Sequence, residues 1–82
     1  EQNYPNPFNP TTKIEYYIPQ RAQVRLSVYN ILGQEVATLV NAVKEQGTYP
    51  AYFNASNLPS GVYFYKLQAS GTTLVRKMVL LK

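Results

Sequence analysis

The strongest constraint on this chain is a period of two. Ile14, Tyr16 and Ile18 alternate with Lys13, Glu15 and Tyr17, and Val24, Leu26 and Val28 alternate with Arg25 and Ser27. Tyr49, Ala51 and Phe53 alternate with Pro50 and Tyr52. Tyr63, Tyr65, Leu67 and Ala69 alternate with Phe64, Lys66 and Gln68. Side chains on a strand point to opposite faces in turn, so each stretch has one mainly apolar face to bury. Turn formers stand between the stretches: Pro19-Gln20, Gly33, Gly47, Pro59-Ser60-Gly61 and Ser70-Gly71. Six or seven short strands with roughly ten residues from one to the next predict an all-β sandwich.

The segment Leu58-Pro59-Ser60-Gly61-Val62-Tyr63-Phe64-Tyr65-Lys66-Leu67 organises the rest. Pro59 restricts its own φ, and Gly61 takes a positive φ without steric cost. The spacing of Leu58, Gly61 and Tyr63 is what a tyrosine corner needs, the ring filling the core while its hydroxyl returns to backbone just upstream. An ordinary turn followed by a core strand covers much of the same signal.

Residues 34–44 are ambiguous. Gly33 can supply the turn of a hairpin, with Gln34 to Val40 as the returning strand and polar Asn41 to Gln46 as a loop. Val28, Leu32, Val36, Leu39 and Val43 also form one apolar face of a helix, with Gly33 inside it costing about 1 kcal/mol relative to Ala. Strand-turn-strand is the favoured reading and the helix stays open. Pro50 places its strand at a sheet edge or a bulge. Thr73 to Leu81 is expected as the last strand, and apolar residues on both of its parities predict either two covered faces or a strand awaiting a partner. At the other end Pro5, Pro7 and Pro10 hold residues 1–11 as an extended arm, with Phe8 its anchor on the core.

With 82 residues the chain makes one small domain, spanning 1–82. There is no His, Asp or Cys, so Ser27, Ser56, Ser60 and Ser70 lack an imidazole to act as base. The only acids, Glu1, Glu15, Glu35 and Glu45, are too scattered for a zinc or iron site. Gly33, Gly47, Gly61 and Gly71 stand too far apart for a phosphate-binding loop. No catalytic, metal or cofactor-binding residue, and no small-molecule substrate, is therefore expected. The net charge of +4 reads as eight bases spread without a cluster, which falls short of a nucleic-acid footprint. No apolar run approaches a membrane-spanning length.

Four blocks carry a resemblance to a known family. Asn3-Tyr4-Pro5-Asn6-Pro7-Phe8-Asn9-Pro10-Thr11-Thr12 resembles the opening of the type A C-terminal sorting domains of the type IX, or Por, secretion system. Val28 to Val36 resembles that family's central hairpin, Leu58 to Leu67 its Leu-Pro-Ser-Gly-Val-Tyr segment, and Arg76 to Lys82 its terminal strand. The blocks occur in the family's order and span almost the whole chain. Relatives of the family include the immunoglobulin-like domain of flagellar hook-capping proteins. The resemblance thus implies an immunoglobulin-like Greek-key β-sandwich of about seven short antiparallel strands, with Pro5, Pro7, Phe8, Gly33, Leu58, Gly61 and Tyr63 as its structural motif. Two departures are local: Asn54 stands where many members carry Asp, and Pro50 interrupts a strand usually free of proline.

The resemblance also implies a function. Such a domain follows a larger cargo protein, of which this chain is expected to be the end, in Bacteroidetes-type bacteria. It passes through the periplasm, is recognised by the outer-membrane translocon and is commonly removed by a sortase-like peptidase. The cargo ends at the cell surface or secreted. By the same resemblance, recognition is expected at Gly61, Tyr63, Lys66, Lys77, Met78, Val79, Leu80, Leu81 and Lys82. Strand parity places Phe64, Lys66, Val75, Lys77 and Val79 on one outward face. The alternative reading is an accessory carbohydrate-binding or spacer module, motivated by eight tyrosines. Tyr16, Tyr29, Tyr49, Tyr63 and Tyr65 fall mostly on core parity, which leaves Tyr17 and Tyr52 as outward rings.

Overall fold

Two antiparallel sheets enclose a single core in the computed structural model, which describes residues 11–81. The proline-bearing arm with Pro5, Pro7 and Phe8, and the terminal Lys82, lie outside the described residues. Strand β1 (Thr11–Ile18) pairs with β4 (Gly47–Asn54), and β2 (Ala22–Tyr29), β3 (Glu35–Lys44), β5 (Gly61–Ala69) and β6 (Thr72–Leu80) form a second sheet in the order β3-β2-β5-β6. The chain crosses between sheets after β1, β3 and β4, which gives the Greek-key path of an immunoglobulin-like sandwich. Six strands are present among the described residues, one fewer than the seven or so expected.

Period-two patterning explains the core. Ile14, Ile18, Val24, Leu26, Val28, Phe53, Met78 and Leu80 are all at most 2% exposed, and they come from four strands of both sheets. Fully burying one such side chain stabilises the fold by roughly 1.5–3 kcal/mol. Tyr16 and Tyr63 also close into this cluster, while Tyr49 and Tyr65 pack on its margin. Tyr29 is a correction: Val24, Leu26 and Val28 take the inward parity of β2, so Tyr29 opposes Phe64 on the outer face.

The middle of the chain is strand. A helix across 34–44 would leave β2 without a neighbour on that side, whereas β3 supplies a ladder from Ala22↔Lys44 to Tyr29↔Glu35. Gly33, at φ 82°, sits in the connecting turn. Asn30 holds that turn: its carbonyl accepts from the Gly33 amide at 3.0 Å, and its side-chain Oδ1 accepts from the amides of Leu32 and Gln34. The loop expected over Asn41 to Gln46 is also corrected. Asn41, Ala42, Val43 and Lys44 continue β3 in register with β2, and only Glu45 and Gln46 connect to β4. Their polarity reflects an exposed sheet edge and not the lack of a strand.

At the other crossing the Leu58 amide donates to the Ala55 carbonyl at 3.0 Å, and Asn54 Oδ1 accepts from the Ser56 amide at 3.0 Å. Asn serves this Asx turn as Asp would, so the departure at Asn54 leaves the local geometry intact. Pro50 faces Glu15 in a two-stranded sheet, where β4 is an edge and a missing backbone donor is tolerated. Thr11, counted with the arm by the sequence, is the first residue of β1.

Candidate recognition surface

The β5–β6 hairpin is built on an unbroken register running from Gly61↔Leu80 to Ala69↔Thr72. Cross-strand partners share a face, so Val62, Phe64 and Lys66 stand beside Val79, Lys77 and Val75 on the outside of the sheet. Tyr63 stands beside Met78 on the inside, and its hydroxyl donates to the Pro59 carbonyl at 2.8 Å. That bond makes the tyrosine corner and ties the start of β5 to the turn before it.

The residues expected to be read by a partner divide accordingly. Tyr63, Met78 and Leu80 are buried, and they hold the hairpin on the core without offering themselves to anything outside. Gly61 opens β5 at φ 155° and Lys66 is half-buried, its ammonium 5.1 Å from the centre of the Tyr29 ring. Lys77, Val79 and Leu81 are exposed. Leu74, on the inward parity of β6, is 39% exposed and Val75, on the outward parity, is 53% exposed, so the first half of β6 is open on both faces.

Arg76 completes this surface and was missed. Its inward parity next to Met78 suggests a buried position, but burial on β6 is confined to Met78 and Leu80, and Arg76 is exposed. The signal available in the sequence was the order of charges. All four acids precede Gln46, whereas Lys66, Arg76, Lys77 and Lys82 follow it. The bases themselves are spread, four on each side of Gln46, and it is the acids that are confined to the first half. Lys13 pairs with Glu15 at 3.6 Å, Arg21 with Glu45 at 3.0 Å and Arg25 with Glu35 at 2.9 Å, and no acid is left for β6 among the described residues.

The edges of the sheets differ. Between Leu26 and Ser27, and again between Val28 and Tyr29, the β2–β3 register shifts, so β3 bulges twice. Bulges and prolines are the means by which exposed edges avoid adding a foreign strand. Strand β3 has the first and β4 has Pro50, while β6 runs for nine residues with neither.

Other hollows hold less. One of about 720 Å³ lies beside Arg21, Arg25, Gln68 and Thr73, but both arginines are already paired with glutamates. A cleft of about 300 Å³ between Tyr29, Ile31, Phe64 and Val75 is mainly apolar. Tyr17 and Tyr52 are 57% and 62% exposed on one outer face. They oppose Thr48 and Lys13 respectively, four positions apart along the ladder, or about 13 Å, and so form no continuous stacking platform for a sugar. No group of three or more metal-ligating side chains gathers among the described residues.

The strands and the tyrosine corner together define an all-β, sandwich-like domain. The chain belongs to the family described as the secretion system C-terminal sorting domain, which it matches over residues 2–81. It is a sorting signal for type IX secretion, directing a cargo protein across the outer membrane to the surface or to the outside. Comparison with curated proteins and with solved structures gives no match.

Proposed function

We propose that the outer-membrane translocon reads this domain through the β5–β6 hairpin, with β6 as the docking edge. Lys66, Lys77, Val79 and Leu81 present side chains along it, with Lys82 next in sequence, while Gly61, Tyr63, Met78 and Leu80 keep it in shape from within. The observation that carries this reading is the uninterrupted nine-residue β6, open along one side among the described residues and partly exposed on both faces. An extended segment of a partner can add to such an edge, backbone hydrogen bonds supplying affinity and side chains supplying choice. The domain performs no catalysis of its own. Residues 1–82 act as one unit behind the cargo, cross the periplasm with it and are afterwards released by a sortase-like peptidase.

The test is a reporter carrying a periplasmic signal and followed by residues 1–82, expressed in a host with this secretion system. Export of the intact fusion is expected, with loss of export on deleting Thr72 to Lys82. Because that deletion also removes Met78 and Leu80 from the core, Lys77→Glu with Val79→Glu is the companion variant, since both side chains are exposed. Retention of the intact fusion in the periplasm, or undiminished export of the deletion and of a folded companion variant, overturns the reading.

A further inference from the structure

We infer that the partner segment accepted by β6 is an extended strand with two adjacent acidic residues at its centre. This rests on β6 being the docking edge and adds the chemistry of what docks there.

The middle of β6 is Arg76-Lys77, and the two side chains leave on opposite faces: Arg76 shares the face of Tyr65, and Lys77 the face of Phe64. Both are exposed, and among the described residues neither has an acidic neighbour in ion-pair range. A strand added to β6 places one residue opposite each position, on the same face as the residue it opposes. The partners of Arg76 and Lys77 are then consecutive in the added segment, whichever direction it runs. An alternating pattern of acids would meet only one of the two cations. On either side, Leu74, Val75, Met78 and Val79 call for β-branched or apolar partners.

The same geometry disfavours a second copy of this chain as occupant. In two-fold antiparallel pairings centred from Val75 to Met78, Arg76 or Lys77 falls opposite, or diagonal to, Arg76 or Lys77 of the other copy. Like charges across a ladder are destabilising. Basic residues on an exposed edge thus guard against self-pairing while leaving the edge open to an acidic strand. The β1 edge lacks this selectivity, because Lys13 and Glu15 already answer one another at 3.6 Å.

Two capped peptides test the inference, Thr-Val-Thr-Glu-Glu-Thr-Val-Thr and the same sequence with Lys-Lys at its centre, each titrated into the 82-residue chain and followed by amide shifts and hydrogen exchange. The Glu-Glu peptide is expected to bind about ten-fold tighter at low salt, with protection confined to β6 and a preference that shrinks as salt screens it. Arg76→Glu with Lys77→Glu should reverse the preference. Equal binding of the two peptides, protection on β1 or β3 in place of β6, an unchanged preference in the double variant, or a β6-paired dimer in sedimentation each overturns it. The export assay separates this idea from the one beneath it. Full export by a folded double variant, when deletion of Thr72 to Lys82 abolishes export, removes the acidic partner and leaves the docking edge. Full export after the deletion removes both.

Discussion

The Tyr63 hydroxyl lies 2.8 Å from the Pro59 carbonyl oxygen, four residues back along the chain, while the Tyr63 ring is only 4% exposed. One side chain thereby joins the crossing between sheets to the core and sets where β5 begins. Everything on the β5–β6 hairpin, including the exposed edge of β6, is positioned from that point.

Tyr63→Phe keeps the ring and removes the bond. Pro59 is exposed, so its carbonyl can turn to water, and the loss should be about 1 kcal/mol. In a domain of this size that is roughly 4–8 °C in Tm. Urea unfolding followed by circular dichroism should show a lower midpoint with an unchanged slope. A midpoint equal to that of the parent chain would remove the corner's contribution.

Gly33→Ala should destabilise by about 1 kcal/mol through backbone conformation alone. Its φ is 82°, yet a Cβ there would meet nothing within 4 Å. Gly33→Asn should recover part of the loss, because Asn tolerates the left-handed region better than Ala does. Thermal melts of the two variants side by side check the order.

Ser27 is 1% exposed on the outer face of β2, between Thr38 of β3 and Lys66 of β5 in the ladder. Its Oγ has no hydrogen-bond partner among the described residues. Burying an unsatisfied hydroxyl opposes folding, so Ser27→Ala should be neutral or stabilise by up to about 1 kcal/mol. A clear loss of stability in chemical denaturation would show that the hydroxyl is satisfied in solution.

Glu35 is held below its ordinary pKa, first by the Thr38 hydroxyl that donates to its carboxylate and then by the Arg25 guanidinium. A depressed carboxylate adds stability above its unfolded pKa, and that contribution fades as pH falls through the folded value. Thr38→Ala should therefore move the Glu35 titration upward in a side-chain NMR experiment, and its stability deficit should vanish in acid. Tyr16 runs the other way: burial, and then the neighbouring Tyr49, raise its pKa. Above the ordinary tyrosine range the unfolded chain ionises first, so Tyr16→Phe should blunt the alkaline loss of stability.

Local pattern carried much of this fold because alternation and turn chemistry are written in neighbouring residues. Ile14 to Ile18, Val24 to Val28 and Tyr63 to Leu67 could be oriented from parity alone, and so could the outward row of Phe64, Lys66, Val75, Lys77 and Val79. Tyr29, expected on the core side, in fact obeys parity, because Val24, Leu26 and Val28 together take the inward face of β2 and turn it outward. Composition misled over Asn41 to Lys44, since an edge strand needs apolar residues only where something covers it. The candidate surface was half legible. Lys77 and Val79 followed from parity, but Arg76 emerged only when burial along β6 was known.

By itself the sequence determined an all-β chain, its turns and the family to which it belongs, because those depend on period, on residue type at fixed spacing and on the order of short blocks. Only the tertiary structure decided which strand ends the larger sheet among the described residues, where burial along that strand stops, and therefore that Arg76 meets solvent as Lys77 does. Coverage is a property of elements distant in the chain. No local pattern can state it, since a side chain is exposed or buried according to what lies across from it.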